Sequence, residues 1–246
     1  MGRLYCNLIR PWVGALLKVK IALTGTPETT LVPLIAKSLD AKHPKSPLRD
    51  SWAKSVLEKL DHDTSKYLIG DQERVTYPQR ARYFDNGTAE FLVEHPRATV
   101  LFLACGLNSR CLRLDWAAAG VRWIDIALPD DVGLWRKLLP SPKGDYSLVG
   151  ADVTENRWLE QIPTDRSTVI VFEGSSGYLE KAVAHQGLDN PVELESLDAR
   201  LQLRDCLRLV ELEGFRDYPL LFRLVPFGYS CLPWFQNVSS CLRFDF

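Results

Sequence analysis

After Pro96, four short apolar runs alternate with segments of helical texture, and this alternation constrains the fold more than any other feature of the chain. The runs are "TVLFLAC", "RWIDIAL", "YSLVGADV" and "STVIVFEG", each about as long as a buried strand. Between them lie the helical candidates "NSRCLRLDWAAAG", "PDDVGLWRKLLP" and "ENRWLEQIP". Near-continuous apolar strands joined through helices imply a parallel sheet covered on both faces, which is an α/β architecture. Ligands of such sheets sit beyond the carboxyl ends of the strands. That rule directs attention to residues 105–108, 125–130, 151–153 and 173–175.

Upstream of the alternation the pattern is helical. "ETTLVPLIAKSLDA" and "DSWAKSVLEKLD" carry apolar residues at helical spacing and are separated by "KHPKSPLR", whose two prolines mark a loop. A third helix is expected over "YPQRARYFDNGTAEFLVEHP", with Pro78 in its first turn and Pro96 ending it. The expected organisation is one domain over residues 1–246, a helical cap at 1–96 followed by an α/β core at 97–246.

Composition narrows the function. With 30 basic and 31 acidic residues and a net charge of -1, the chain has no electrostatic footprint for nucleic acid or an anionic membrane, and both partners are disfavoured. At 46% hydrophobic residues a contiguous core is readily built, and no run is long and apolar enough to span a bilayer. The six cysteines (Cys6, Cys105, Cys111, Cys206, Cys231 and Cys241) form no CxxC pair, so neither zinc nor a disulfide framework is supported, and a reducing cytoplasm is the simplest setting. Arg10 and Pro11 interrupt the apolar stretch near the N-terminus, which argues against a signal peptide and gives the sequons at Asn86 and Asn237 no expected meaning.

Two strand ends carry carboxylates. Asp152 closely follows the third apolar run, and Glu173 closes the fourth, where core packing gives no reason for a charge. The bland alternative for each is a carboxylate capping the next helix. The turn after the first run, Ala104, Cys105 and Gly106, has the strand, tight turn and helix order that presents backbone N–H groups to a ligand. It lacks the G-x-G-x-x-G fingerprint of a nicotinamide-binding turn, which disfavours an oxidoreductase.

Taken in order and spacing, "LACGLNSRCLRL", "GVRWIDIALPD", "KLLP", "GADVTENRWLEQIP" and "VFEGSSGYL" resemble the leucine carboxyl methyltransferase-like family of S-adenosylmethionine-dependent O-methyltransferases. The nearest likeness is to its fungal secondary-metabolism branch. "ALTGTPETTLVPLIAKSLDAKHP", "LRDSWAKSVLEKLDHD", "RARYFD", "GLDNPVELESLDARLQL" and "LVELEGFRDYP" extend the likeness from about Ala22 to the C-terminus. The resemblance implies a Rossmann-like class I methyltransferase sheet with N-terminal helices, S-adenosyl-L-methionine as cofactor, and a small-molecule carboxylate or hydroxyl as acceptor; relatives that methylate a protein C-terminal carboxylate keep that acceptor open. It leaves the oligomeric state unassigned.

The resemblance also implies roles. Ala104, Cys105 and Gly106 would form the loop against the cofactor's methionine portion, and Arg80 would pair with its carboxylate. Asp152, with Val153 beside it, would meet the adenine, and Glu173 would face the methionine ammonium or the sulfonium. Tyr178 is the one candidate on the acceptor side, its alternative being an ordinary packed tyrosine. No general base is assigned: His43, His62, His95 and His185 are isolated.

This chain departs from the pattern twice. The family's second strand ends with an aspartate before Leu-Pro, where it would hold the ribose hydroxyls; here the position is Ala127, and Asp125 on the same strand face is expected to compensate in part. After "YLEKAVAHQ" a whole strand unit is absent, since residues 180–186 fall short of the dozen or so that a parallel crossover requires. Either a segment has been skipped or the chain is a reduced fold with an exposed sheet edge. "EGSSGYL" also puts Ser175, Ser176 and Gly177 where bulkier apolar residues are usual, altering the acceptor wall. The alternative function is a catalytically impaired relative that acts as a binding or assembly subunit.

Overall fold

The chain's apolar runs become strands, and alternation of their side chains builds two cores. The structure is a computed structural model describing residues 19–20, 30–67, 69–117, 120–173, 202–208 and 240–245. In chain order the elements are β1 (Val19–Lys20), α1 (Leu31–Asp40), α2 (Ser51–Lys59), β2 (Leu60–Asp61), α3 (Asp71–Glu94), β3 (Thr99–Leu103), α4 (Arg110–Arg113), β4 (Arg122–Ala127), α5 (Pro129–Leu138) and β5 (Asp145–Gly150). A 3-10 helix (Asn156–Gln161), β6 (Thr168–Phe172), β7 (Gln202–Arg208) and β8 (Ser240–Asp245) follow.

The central sheet has the order β5-β4-β3-β6 with every pairing parallel, so the expected α/β fold is the observed one. Val100 pairs with Trp123 on one side and Val169 on the other, which makes β3 the middle of the sheet. Val100, Phe102, Trp123 and Ala127 face the larger core, where they meet Leu31, Leu34 and Ile35 of α1 and Val56 of α2. Leu101, Ile124 and Ile126 face the other way and pack with Trp158 of the 3-10 helix. Period-two alternation between two apolar faces is what a doubly covered strand requires. The N-terminal helices therefore share one core with the sheet.

Chain direction changes at β3. From β3 the chain moves outward to β4 and β5, then crosses back to β6 on the opposite side. The ends of β3 and β6 accordingly flank a topological switch point, the place where such sheets open a crevice for ligands.

Several local expectations are corrected. α3 begins at Asp71, so Pro78 sits inside the helix and not in its first turn. Gly70 is extended before the helix, and Asp71 and Glu73 in the first turn complement the helix dipole, which starts the helix early at the cost of one N–H inside it. The helix expected over 108–120 is only Arg110–Arg113. Leu114 is extended, and the buried Trp116 turns back to donate from Nε1 to the Cys111 carbonyl at 2.7 Å while stacking toward Trp123 at 5.3 Å. That packing overrides the helix propensity of Ala117 beside it.

Among the described residues β6 pairs with β3 alone, and Ile170 on it is 46% exposed. β7 and β8 form a two-stranded antiparallel sheet. The expected loss of a strand unit after residue 180 concerns residues outside the described ones, as do the expectations for Ser175 to Gly177 and Tyr178. No described helix is long and apolar enough to cross a membrane, and no described cluster of His, Cys, Asp or Glu could hold a metal ion.

Candidate functional site

A cavity of about 460 Å³ opens over the carboxyl ends of the four central strands. This is within the size range of small-molecule sites. Residues 104–109 after β3, Ala127 and Leu128 after β4, residues 151–154 after β5 and Glu173 after β6 all line it. Thr30, Val32, Pro33, Leu34 and Lys37 of the α1 region and Tyr77 and Arg80 of α3 close it from the helical side.

The loop after β3 is shaped by its backbone. Ala104 and Gly106 both hold left-handed conformations, at φ 49° and 52°. For alanine this costs roughly 1 to 2 kcal/mol, strain of the kind that clusters at ligand sites. A Cβ on Gly106 would lie 3.1 Å from Cγ2 of Thr30, so glycine also permits α1 to approach the loop. The Cys105 amide donates to the Ile126 carbonyl at 2.8 Å and ties the loop to the end of β4.

Glu173 anchors the charged end. Its side chain is 1% exposed and accepts from Arg110 Nη2 at 2.6 Å, with Arg80 Nε at 3.4 Å, Lys37 Nζ at 3.6 Å and Asn108 Nδ2 at 3.4 Å. Burial opposes ionisation, but Lys37, Arg110 and Arg80 outweigh it and hold the carboxyl well below the usual carboxylate range. Burial lowers Lys37 to about 8 despite the attraction of Glu173. Arg80 also lies over the Tyr77 ring at 4.8 Å, which fixes its guanidinium at the rim.

Beneath this end runs a second layer of ion pairs. Asp85 of α3 accepts from Arg110 Nε at 2.7 Å and from Arg113 Nε and Nη2 at 3.0 Å each. Asp50 caps α2 by accepting from the Ala53 amide at 3.0 Å, and it also holds Ser109 Oγ at 2.8 Å and Arg113 Nη1 at 2.7 Å. Burial is the largest influence on Asp85 and favours its neutral form, yet the two arginines keep its pKa lowered.

The opposite end is apolar. Ala127, Leu128, Ala151 and Val153 line it, and Asp152 stands exposed at its edge. Asp152 Oδ1 accepts from the Thr154 amide at 2.9 Å and from its hydroxyl at 2.7 Å, which lowers its pKa. The carboxylate thus closes a turn ahead of the 3-10 helix without capping it, and lines the cavity as well.

Asp125 is placed differently from expectation. It does not line the cavity: Oδ1 accepts from Trp123 Nε1 at 2.6 Å and Oδ2 from Tyr146 at 2.9 Å, inside the larger core. Burial raises its pKa to about 6. The reason is reach, since the side chain leaves the strand two residues before its end, where two aromatic donors already surround it. Asp125, expected to compensate in part for the missing ribose contact, is thus held by Trp123 and Tyr146 and is not among the cavity's lining residues.

The cavity therefore brings together Arg80, Ala104, Cys105, Gly106, Asp152, Val153 and Glu173 from the sequence-derived set. It adds Lys37 and Asp131, which sequence reasoning missed, and Asn108, which lay in the 105–108 stretch but was given no role. Lys37 lies on the buried face of α1, one turn beyond Pro33, and a lysine among apolar helical positions was the signal that could have revealed it. Chemically, one end offers cations and an anion suited to a zwitterionic amino-acid group, and the other a slot for a flat, weakly polar ring.

Comparison with known proteins agrees. Residues 35–191 match the family model described as leucine carboxyl methyltransferase. The tetracenomycin polyketide synthesis O-methyltransferase TcmP of Streptomyces glaucescens is 40% identical over 162 residues, covering 66% of this chain and 59% of TcmP. The S-adenosyl-L-methionine-dependent methyltransferase dpfgK of Gibberella zeae is 34% identical over 175 residues, with the same coverage of 66% and 59%. A putative S-adenosyl-L-methionine-dependent methyltransferase of Parafrankia is 32% identical over 154 residues, 58% of this chain and 48% of that protein. The chain thus spans less than two thirds of the length of these relatives. With more than half of its residues inside the family match, the chain belongs to the leucine carboxyl methyltransferase family.

Proposed function

We propose that this protein is an S-adenosyl-L-methionine-dependent O-methyltransferase acting on a carboxylate or hydroxyl of a polyketide-like small molecule. The observation that carries this is the polarity of the cavity: Glu173, Lys37 and Arg80 at one end, the Ala104 to Gly106 loop in the middle and an apolar slot at Val153. The donor set fits the cofactor, whose amino-acid end needs a cation for its carboxylate and an anion for its ammonium. In this reading Arg80 and Lys37 hold the carboxylate, Glu173 the ammonium, and Asp152 with Val153 the adenine edge.

The bound cofactor supplies an activated methyl group on a sulfonium. What remains for the chain is to align nucleophile, methyl carbon and sulfur and to exclude water. A carboxylate acceptor needs no base, whereas a phenol or alcohol benefits from one, and Tyr178 is the candidate nearest that side in sequence. Relatives named for polyketide synthesis in a bacterium and for methyl transfer in a fungus support a secondary-metabolic role, and fungal metabolism is the setting we propose. The chain is read as one domain, 1–96 capping 97–246, in a reducing cytoplasm where Cys105 and Cys111 stay free and buried.

A second reading, an impaired relative serving as a binding subunit, is favoured by Ala127 at the end of β4. Calorimetric titration with S-adenosylmethionine and S-adenosylhomocysteine separates the two. Micromolar binding that is lost in Arg80→Ala and Asp152→Ala supports the enzyme and justifies an acceptor screen. Absence of binding by a cooperatively folded chain favours the subunit.

A further inference from the structure

The cavity crosses the strands in the order Glu173 over β6, the glycine loop over β3, Ala127 to Asp131 over β4 and residues 151–154 over β5. Three strand spacings make this track about 14 Å long. A nucleoside carrying an amino-acid tail, laid along it with the tail at Glu173 and the base at Val153, puts its ribose over β4. In nucleotide-binding α/β folds a carboxylate about twenty residues past the glycine turn receives the ribose hydroxyls. Counted from Gly106 that position falls at the end of β4, where this chain has Ala127.

We propose that Asp131 holds the ribose diol, taking over from the first turn of α5 the task that Ala127 cannot perform. Asp131 is 5% exposed and lines the cavity, in the first turn of a ten-residue helix that begins directly after β4. The other lining carboxylates stand over other parts of the track: Glu173 over β6, Asp152 over β5, and Asp50 at the α2 cap against Arg113. Ala127 and Leu128 offer the ribose no side-chain acceptor, while a carboxylate presents two oxygens to two adjacent hydroxyls. This inference rests on the cofactor reading above and assigns a positioning and specificity residue within it.

The test is calorimetry on the full chain with S-adenosylhomocysteine and its 2′-deoxyribose analogue. The wild-type chain is expected to prefer the ribose form by about tenfold to a hundredfold, as loss of a charged hydrogen bond implies. Asp131→Asn should collapse that preference, weakening the ribose form more than the deoxy form, which has only its 3′-hydroxyl contact to lose, and Asp131→Asn with Ala127→Asp should restore it. Because the ratio is measured within each variant, a general loss of stability does not imitate the result. Tight binding with an unchanged ratio in Asp131→Asn overturns the assignment alone. No binding of either nucleoside by the folded wild-type chain overturns it together with the cofactor reading.

Discussion

Arg110 and Glu173, 63 residues apart, meet at 2.6 Å with side chains 0% and 1% exposed. The arginine lies over the Phe102 ring at 4.5 Å and also binds Asp85, so Glu173 is presented to the cavity by a guanidinium that is itself fixed on three sides. A buried anion held this way keeps its charge in a place where burial alone would neutralise it.

Glu173→Gln should therefore damage more than binding. It strands Lys37, Arg80 and Arg110 without their common anion, and breaking buried pairs by removing one partner costs about 3 to 5 kcal/mol. Urea denaturation should show that loss, and calorimetry should show S-adenosylhomocysteine binding weakened at least tenfold in whatever fraction remains folded. A fully stable Glu173→Gln protein would refute this account of the network.

Asp125 predicts a pH effect of definite sign. Its carboxyl is raised from 3.8 to about 6 in the folded state, so the folded chain holds the proton more tightly. The stability this gives is fully present below about pH 4 and is lost as pH rises through 6, amounting to about 3 kcal/mol. Asp125→Asn should erase that dependence. The difference in melting temperature between wild type and variant, followed from pH 4 to 7.5, should shift in favour of the variant mainly between pH 4 and 6 and level off above that.

Lys37 predicts a second dependence, in ligand binding. Its pKa is lowered to about 8 by burial, so its charge is present below that pH and fades above it. Affinity for S-adenosylhomocysteine should fall between pH 7 and 9, and the wild-type fall should be steeper than that of Lys37→Met, which retains only the ligand's own titration. Parallel profiles would exclude Lys37 from carboxylate binding.

Cys105 lines the cavity, yet its thiol should be inert. Burial is the main reason its pKa is raised, followed by the nearby Asp125 carboxylate. Cys111 is raised likewise, again chiefly by burial. Peptide mapping after iodoacetamide treatment at pH 7.5 should find both unmodified in the folded chain and both labelled in urea. Rapid labelling of Cys105 in the folded protein would mean that the loop opens.

The strands and the carboxylate at the end of β6 were legible because both are local: an apolar run of fixed length, and a charge where packing offers no reason for one. Ala127 was legible as a gap. Its remedy was not, because Asp131 belongs to the next helix and reads in sequence as ordinary first-turn dipole compensation. Lys37, Arg110 and Arg113 were missed for a similar reason, since their partners are brought near only by the tertiary fold. Pro78 misled because a proline marks a helix start more often than it is tolerated inside one, and the acidic turn at Asp71 outweighed it.

The ion-pair layer also bears on how the chain reaches its native state. Its members come from α1, α2, α3, α4 and the end of β6, and each would be a costly buried charge until the others arrive. Partial docking is thereby penalised, and the layer is expected to act as a closing latch set late on the folding route, after the long-range pairing of β3 with β6 has met its loop-closure cost. Weakening it, as in Arg110→Met, should accelerate unfolding while leaving the refolding rate nearly unchanged.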